Sequence, residues 1–219
     1  YVSIACGSSG DEVNSNGLVK IAKRLYADLG RIFPLAFYIL QYRRSMRRLG
    51  DQRRERNNAF DALIANSHHK KCLQIGVKDE LGEKFGPNWI SVDLYDTRDF
   101  IDFNYDVHNL RFPDNEFDIV VCLSILEHLP EPERAIAELR RVLRPGGEIW
   151  VQLPFYFPYH ESPKDYWRCS PDGLRVWMRD FVEIFCASYL WTRTSLVTST
   201  FYYGRKPQDN KQDSQFSNN

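Results

Sequence analysis

The chain has 219 residues, 43% of them hydrophobic, with 29 Lys and Arg against 29 Asp and Glu. That length suits one domain with an extension and can supply a single core, whereas a formal charge of zero argues against a general nucleic-acid binder, which carries a basic excess. Five cysteines, Cys6, Cys72, Cys122, Cys169 and Cys186, are scattered and odd in number with no CxxC pair, so neither a disulfide framework nor a zinc site is indicated and no metal is expected.

The chain starts at Tyr1 without methionine, which leaves room for an upstream segment. No signal-peptide pattern or membrane-length apolar run follows, and a cytoplasmic, reducing setting is expected. Leu18, Ile21, Ala22, Leu25 and Leu29 mark an amphipathic helix between Asn16, a cap, and Gly30, a stop. A second segment, 36–49, begins apolar and ends basic at Arg43, Arg44, Arg47 and Arg48; after a break come Arg53, Arg54 and Arg56. Such a run reads first as a solvated helix face, with weak contact to a membrane surface or contact with an acidic substrate as the rivals. Residues 58–67 are expected to form the helix preceding the first strand. Residues 1–55 are therefore assigned to an N-terminal helical extension, 56–207 to the main domain and 208–219, polar throughout, to a disordered tail.

Cys72 to Gly76, CLQIG, is a short apolar strand ending in glycine, and Trp89 to Val92 reads as the next strand, ending at Asp93. Asp106 lies in a turn-rich stretch between Asn104 and Asn109. The section from Phe112 to Phe155 is the plainest. Phe117 to Leu123 is a nearly continuous apolar run, as expected of a parallel strand covered on both faces. Pro132 suits a first helical turn, with Glu131 and Glu133 near the positive end and Arg140, Arg141 and Arg144 near the negative one. Ala135, Ile136, Leu139, Val142 and Leu143 form one apolar stripe. Pro145, Gly146 and Gly147 stop the helix, and Ile149, Val151 and Leu153 alternate along a second strand, giving a βαβ unit with a right-handed crossover.

These residues, FPDNEFDIVVCLSILEHL with RVLRPGG, resemble the class I S-adenosylmethionine-dependent methyltransferase family, in the branch of small methyltransferase-domain proteins. The resemblance runs from about Lys71 to Phe155 and more weakly to Pro207. It implies an α/β, Rossmann-like, doubly wound sheet of seven mostly parallel strands with an antiparallel terminal strand, supplied by runs at 181–191 and 196–203. It implies S-adenosylmethionine as cofactor, held by Gln74, Gly76, Val77, Asp93, Leu94, Asp106, Val107 and Leu123. In this scheme Asp93 accepts from two ribose hydroxyls, seventeen residues beyond Gly76, and Asp106 accepts from the adenine amino group. The chain departs from the usual pattern at Val77 and Lys78, where a small residue and a second glycine are common, and at Gln74, which replaces a frequent acid.

The sulfonium of that cofactor makes its methyl group electrophilic, so the protein must position a nucleophile and exclude water. For a hydroxyl acceptor a base helps, and His160 and His128 are the candidates. His160 lies in PFYFPYHESPKDYWRCSPDGL, where aromatic rings alternate with polar groups. That composition suits a sugar or another flat polar acceptor, with Tyr159, Tyr166 and Arg168 as contacts. HESPKDYWR also looks like a signature of methyltransferases associated with glycan modification. Against this stands a rigid proline-rich lid in which Asp165 and Arg168 pair structurally. Beyond it, Ser170 caps a helix reaching Asp180. Three functions remain open: O-methylation of a small-molecule or glycan acceptor, cofactor binding with little or no catalysis, and N-methylation of protein or nucleic acid. The last lacks the Asn/Asp-Pro-Pro-aromatic tetrapeptide of amino-methylating DNA enzymes.

Overall fold

A computed structural model describes residues 34–76, 84–192 and 197–208, together with Lys20, Ile21, Arg24, Leu25 and Asp28. Those five are helical; the rest of the first expected helix, Val77, and residues 209–219 of the tail lie outside the described residues. The chain divides into two compact units, Tyr1–Arg48 and Leu49–Asn219. In the first, Arg43, Arg44, Arg47 and Arg48 are all exposed, as are Ile39, Leu40 and Tyr42. No described helix is long and apolar enough to cross a membrane.

The two helical segments expected on either side of Gly50 are one helix, α1 (Pro34–Ala65). A glycine inside a helix costs only about 1 kcal/mol against alanine, too little to interrupt 32 residues. The arginines of its second half depart from a solvated face. Arg53 donates to the Trp191 carbonyl at 3.1 Å, and Arg56 donates to Gln152 Oε1 at 2.5 Å while standing over the rings of Phe60, Trp150 and Tyr189. Burial lowers the Arg56 pKa, opposed by the Tyr189 and Asp61 side chains.

The second unit is built on one sheet: β1 (Cys72–Ile75), β2 (Trp89–Val92), β3 (Phe117–Leu123), β4 (Leu143–Tyr156), β5 (Val182–Leu190) and β6 (Thr198–Arg205). The strand order is β2-β1-β3-β4-β6-β5, and only β6 runs against the others. Six strands stand among the described residues where seven were expected. The outer position beside β2 is reduced to one parallel bridge, Val92 to Phe103. Side chains consume the backbone groups a longer strand would need: the Asp102 carboxylate accepts from the Ser91 amide at 2.8 Å, and Asn104 donates to the carbonyls of Asp93 and Asp96.

Helix α2 (Pro132–Val142) follows β3, and α3 (Pro171–Trp177) precedes β5, capped as expected by Ser170 Oγ, which accepts from the Gly173 amide at 3.2 Å. The apolar stripe of α2 (Ala135, Ile136, Leu139, Val142) packs with Leu174 and Met178 on Leu73, Ile75, Val120, Cys122, Ile149 and Val151. The opposite face, carrying Cys72, Ile119, Val121, Trp150 and Phe201, is covered by Ala59, Phe60, Leu63 and Ile64 of α1. Both faces are covered by packed side chains, which is why the central strands are apolar at nearly every position.

Candidate functional site

The order in which strands are added reverses at β1, which has β2 on one side and β3 on the other, and open α/β sheets bind ligands at such a point, outside the carboxyl ends of the strands. Here a crevice of about 1140 Å³ opens, lined by residues from the ends of β1, β2 and β3 and from the loops after them. Gly76 ends β1 with φ +73°, and a Cβ there would lie 2.6 Å from Ile125 Cγ1 and 2.7 Å from the Leu123 carbonyl oxygen. A side chain would therefore fill the cradle between the strand ends. The sequence needs glycine at this bend both for its backbone angle and for its space.

Of the residues expected to hold the cofactor, Gly76, Asp93, Leu94, Asp106, Val107 and Leu123 all line this crevice. The two acids are prepared alike. Asp93 Oδ1 accepts from the amides of Tyr95 and Asp96, both at 2.9 Å, and Asp106 Oδ1 accepts from the His108 amide at 2.9 Å. Each keeps Oδ2 without a partner among the described residues, an acceptor available to a hydroxyl or an amino group. Burial pushes the Asp106 carboxyl up, but the His108 amide and ring outweigh it and hold it below the usual range. The turn reading of Asp106 is met by Oδ1, and Oδ2 remains available for the ligand that the resemblance implies. Gln74 is elsewhere. Alternation along β1 turns it with Cys72 toward the α1 face, where it is fully buried, its Nε2 3.5 Å from the Gly76 carbonyl and its Oε1 without a partner among the described residues.

The other end of the crevice is made by His128, His160, Tyr166, Lys164 and Trp191. His128 closes a short 3₁₀ turn after β3 (Leu126–His128), and its Nδ1 lies 2.5 Å from the Lys164 carbonyl. Burial lowers its pKa, opposed by the hydrogen bond to the Lys164 carbonyl. The His160 ring stands edge-on to it, centroids 5.0 Å apart at 85°. Arg168, expected at the acceptor, instead ties down its own loop: it pairs bidentately with the buried Asp165 at 2.6 Å on both arms and donates to the carbonyls of Phe157 and Pro158. That pair also holds the Asp165 carboxyl well below its usual range. Tyr159 points outward, 69% exposed, donating to Glu161 at 2.7 Å. Neither Arg168 nor Tyr159 lines the crevice.

Two residues were not singled out from the sequence. Ser124, at the end of β3, takes φ +53°, a strained conformation for a residue with a side chain, and lines the crevice. Glu127, beside His128, is fully buried, and burial pushes its carboxyl up to about 8. The adjacent Glu-His pair was the available signal.

Residues 90–151 match the family model described as a methyltransferase domain. Phosphatidylethanolamine N-methyltransferase of Cereibacter sphaeroides is 48% identical over 46 residues, 21% of this chain and 23% of that protein. A ubiquinone biosynthesis O-methyltransferase of Pseudomonas syringae pv. tomato is 37% identical over 51 residues, 23% of this chain and 20% of the relative. The chain thus spans about a fifth of the length of these curated relatives. Among solved structures, Burkholderia thailandensis 1,6-didemethyltoxoflavin-N1-methyltransferase, with bound 1,6-didemethyltoxoflavin and S-adenosylhomocysteine, shares the fold at a TM-score of 0.53 and 14% identity, with 94% of each chain covered. The matched segment, residues 90–151, is thus similar in sequence to a methyltransferase domain, and the chain shares its fold with that solved methyltransferase.

Proposed function

We propose that this protein transfers a methyl group from S-adenosylmethionine to a hydroxyl of a small polar acceptor, a sugar being the favoured class. The observation that carries the reading is that one crevice is lined both by Gly76, Asp93 and Asp106 and by His128 and His160. The cofactor, when bound, supplies an electrophilic methyl group on a sulfonium sulfur. The chain's own residues do the rest. The bend at Gly76 admits the ligand close to the backbone, and the free oxygens of Asp93 and Asp106 orient it. Ile125, Leu129 and Trp191 give the crevice apolar walls that exclude water. His128 and His160, which line the other end of the crevice, are the groups this reading assigns to take the proton of an acceptor hydroxyl. The exposed ring of Tyr166, which lines the same end of the crevice, favours a flat polar acceptor.

The relatives act at nitrogen in one case and oxygen in another, so the similarity does not select the acceptor atom. A cofactor-consumption screen over sugars and sugar nucleotides tests the reading directly. Turnover with a hydroxyl acceptor is expected, and His160→Ala should slow it by about 10² to 10⁴ without weakening cofactor binding. Cofactor binding with no methylated product from any hydroxyl acceptor would leave the binding-only alternative, and an N-methyl product would replace the hydroxyl assignment.

A further inference from the structure

Methyl transfer alone gives no use for Glu127. Its carboxylate is fully buried at the acceptor end, yet neither oxygen has a hydrogen-bond partner among the described residues. Leaving a buried carboxylate unpaired is costly, and a group of this kind in a natural fold usually marks a water or an ion. The neighbours of Glu127 identify which. One donor atom from each of Glu127, His128 and His160 lies within 4.8 Å of the other two.

Both imidazoles are prepared to ligate. His128 Nδ1 at 2.5 Å from the Lys164 carbonyl must carry the proton, leaving a lone pair on Nε2, which sits 3.8 Å from Glu127 Oε1. His160 Nδ1 lies 3.3 Å from the Pro158 carbonyl and 3.4 Å from Asp165 Oδ2, two acceptors that favour the proton there and free Nε2. Arg168 Nη2 also stands 3.4 Å from this nitrogen, its charge matched by Asp165. Donation of one ring nitrogen to a carbonyl or carboxylate is the arrangement by which proteins orient metal-binding histidines. Metal bonds of roughly 2.0 to 2.2 Å place ligand atoms up to about 4.3 Å apart, so side-chain shifts of a few tenths of an ångström would close the set.

We propose that Glu127, His128 and His160 bind one divalent first-row transition ion, with coordination positions left open toward the crevice for an oxygen of the acceptor. Two imidazoles and one carboxylate suit such an ion better than Mg²⁺, which prefers oxygen ligands. With the ion bound, His128 and His160 would serve as ligands rather than as bases, and a hydroxyl on the ion would lose its proton to solvent while the electron pair of the O–H bond stays on its oxygen. That role rests on the hydroxyl-acceptor reading; the binding of the ion does not. The expectation of a metal-free chain followed cysteine spacing, whereas these ligands come from two loops about thirty residues apart.

Calorimetric titration of the full chain with Zn²⁺ and Mn²⁺, with Mg²⁺ for comparison, tests the site. One Zn²⁺ or Mn²⁺ per chain is expected, weakened at least tenfold in Glu127→Gln and His160→Ala and unchanged in His69→Ala, an exposed histidine outside the cluster. Because a change at buried Glu127 can disturb folding, the Co²⁺ spectrum of the unmodified protein provides a second reading: visible d–d bands without a thiolate charge-transfer band. No ion bound at about 1 mM, equal affinity in the ligand variants, or a thiolate band would overturn the proposal. Intact S-adenosylmethionine binding beside any of these failures leaves the transferase reading standing, and ion binding without cofactor binding removes that reading alone.

Discussion

The two ends of the crevice are built by different means. At the cofactor end, Asp93 and Asp106 are each held by backbone amides two or three residues ahead, so a local turn positions every functional oxygen. At the acceptor end, position is borrowed from far along the chain: the Lys164 carbonyl orients His128 across 36 residues, and the Asp165–Arg168 pair sets the loop that carries His160. The first end is preorganised by short-range geometry and suits a constant ligand. The second depends on one proline-rich loop, which can be rebuilt without touching the sheet, as an acceptor pocket requires.

The sharpest way to break this contrast is Gly76→Ala. A left-handed residue with a side chain costs about 1–3 kcal/mol, and here the Cβ also meets Ile125 and Leu123. The melting temperature should fall and cofactor binding should be lost, while an unchanged melting temperature would mean that the bend tolerates a side chain and is not a cradle. A smaller effect separates the acceptor end. Glu127 is buried with its carboxyl raised from 4.5 to about 8, so between those values the unfolded chain has released the proton that the folded, metal-free chain keeps. Stability therefore falls as pH rises through that window, by at most about 1.4 kcal/mol per pH unit, and levels off above it. Urea unfolding at pH 5, 6.5 and 8 should show this slope and its loss in Glu127→Gln; an equal slope in both would contradict a neutral buried carboxyl. The smallest effect belongs to Tyr159→Phe. The hydroxyl is exposed and, among the described residues, bonded only to exposed Glu161, so stability should change by under about 0.5 kcal/mol and acceptor KM should not move. A tenfold rise in KM would bring Tyr159 into the site.

What could be read from the sequence divides along the same line. β3, α2 and β4 were legible because an unbroken apolar run, end charges and a helical stripe all agree within forty residues. Gly76, Asp93 and Asp106 were legible because each ends a strand or opens a turn. α1 was read as two helices because a glycine beside charged residues looks like a break, yet no strong alternative competes for those residues. Arg56 looked solvated because nothing local places Phe60, Trp150, Tyr189 and Gln152 around it. Gln74 was assigned to the crevice by position, although the alternation of Cys72 and Gln74 against Leu73 and Ile75 already turned it to the opposite face. Glu127 stayed hidden because its isolation follows from the way the 160s loop covers it, with the amides of Tyr166 and Trp167 donating to its carbonyl.

The most direct measurement is a calorimetric titration of S-adenosylmethionine into the unmodified chain and into Asp93→Asn, which keeps an oxygen for the Tyr95 and Asp96 amides but removes the charge. The account predicts one site in the unmodified chain and affinity reduced about 10- to 150-fold in the variant, the value of one or two charged hydrogen bonds, with no change in melting temperature. No binding to the unmodified chain, or equal binding to both, would contradict it.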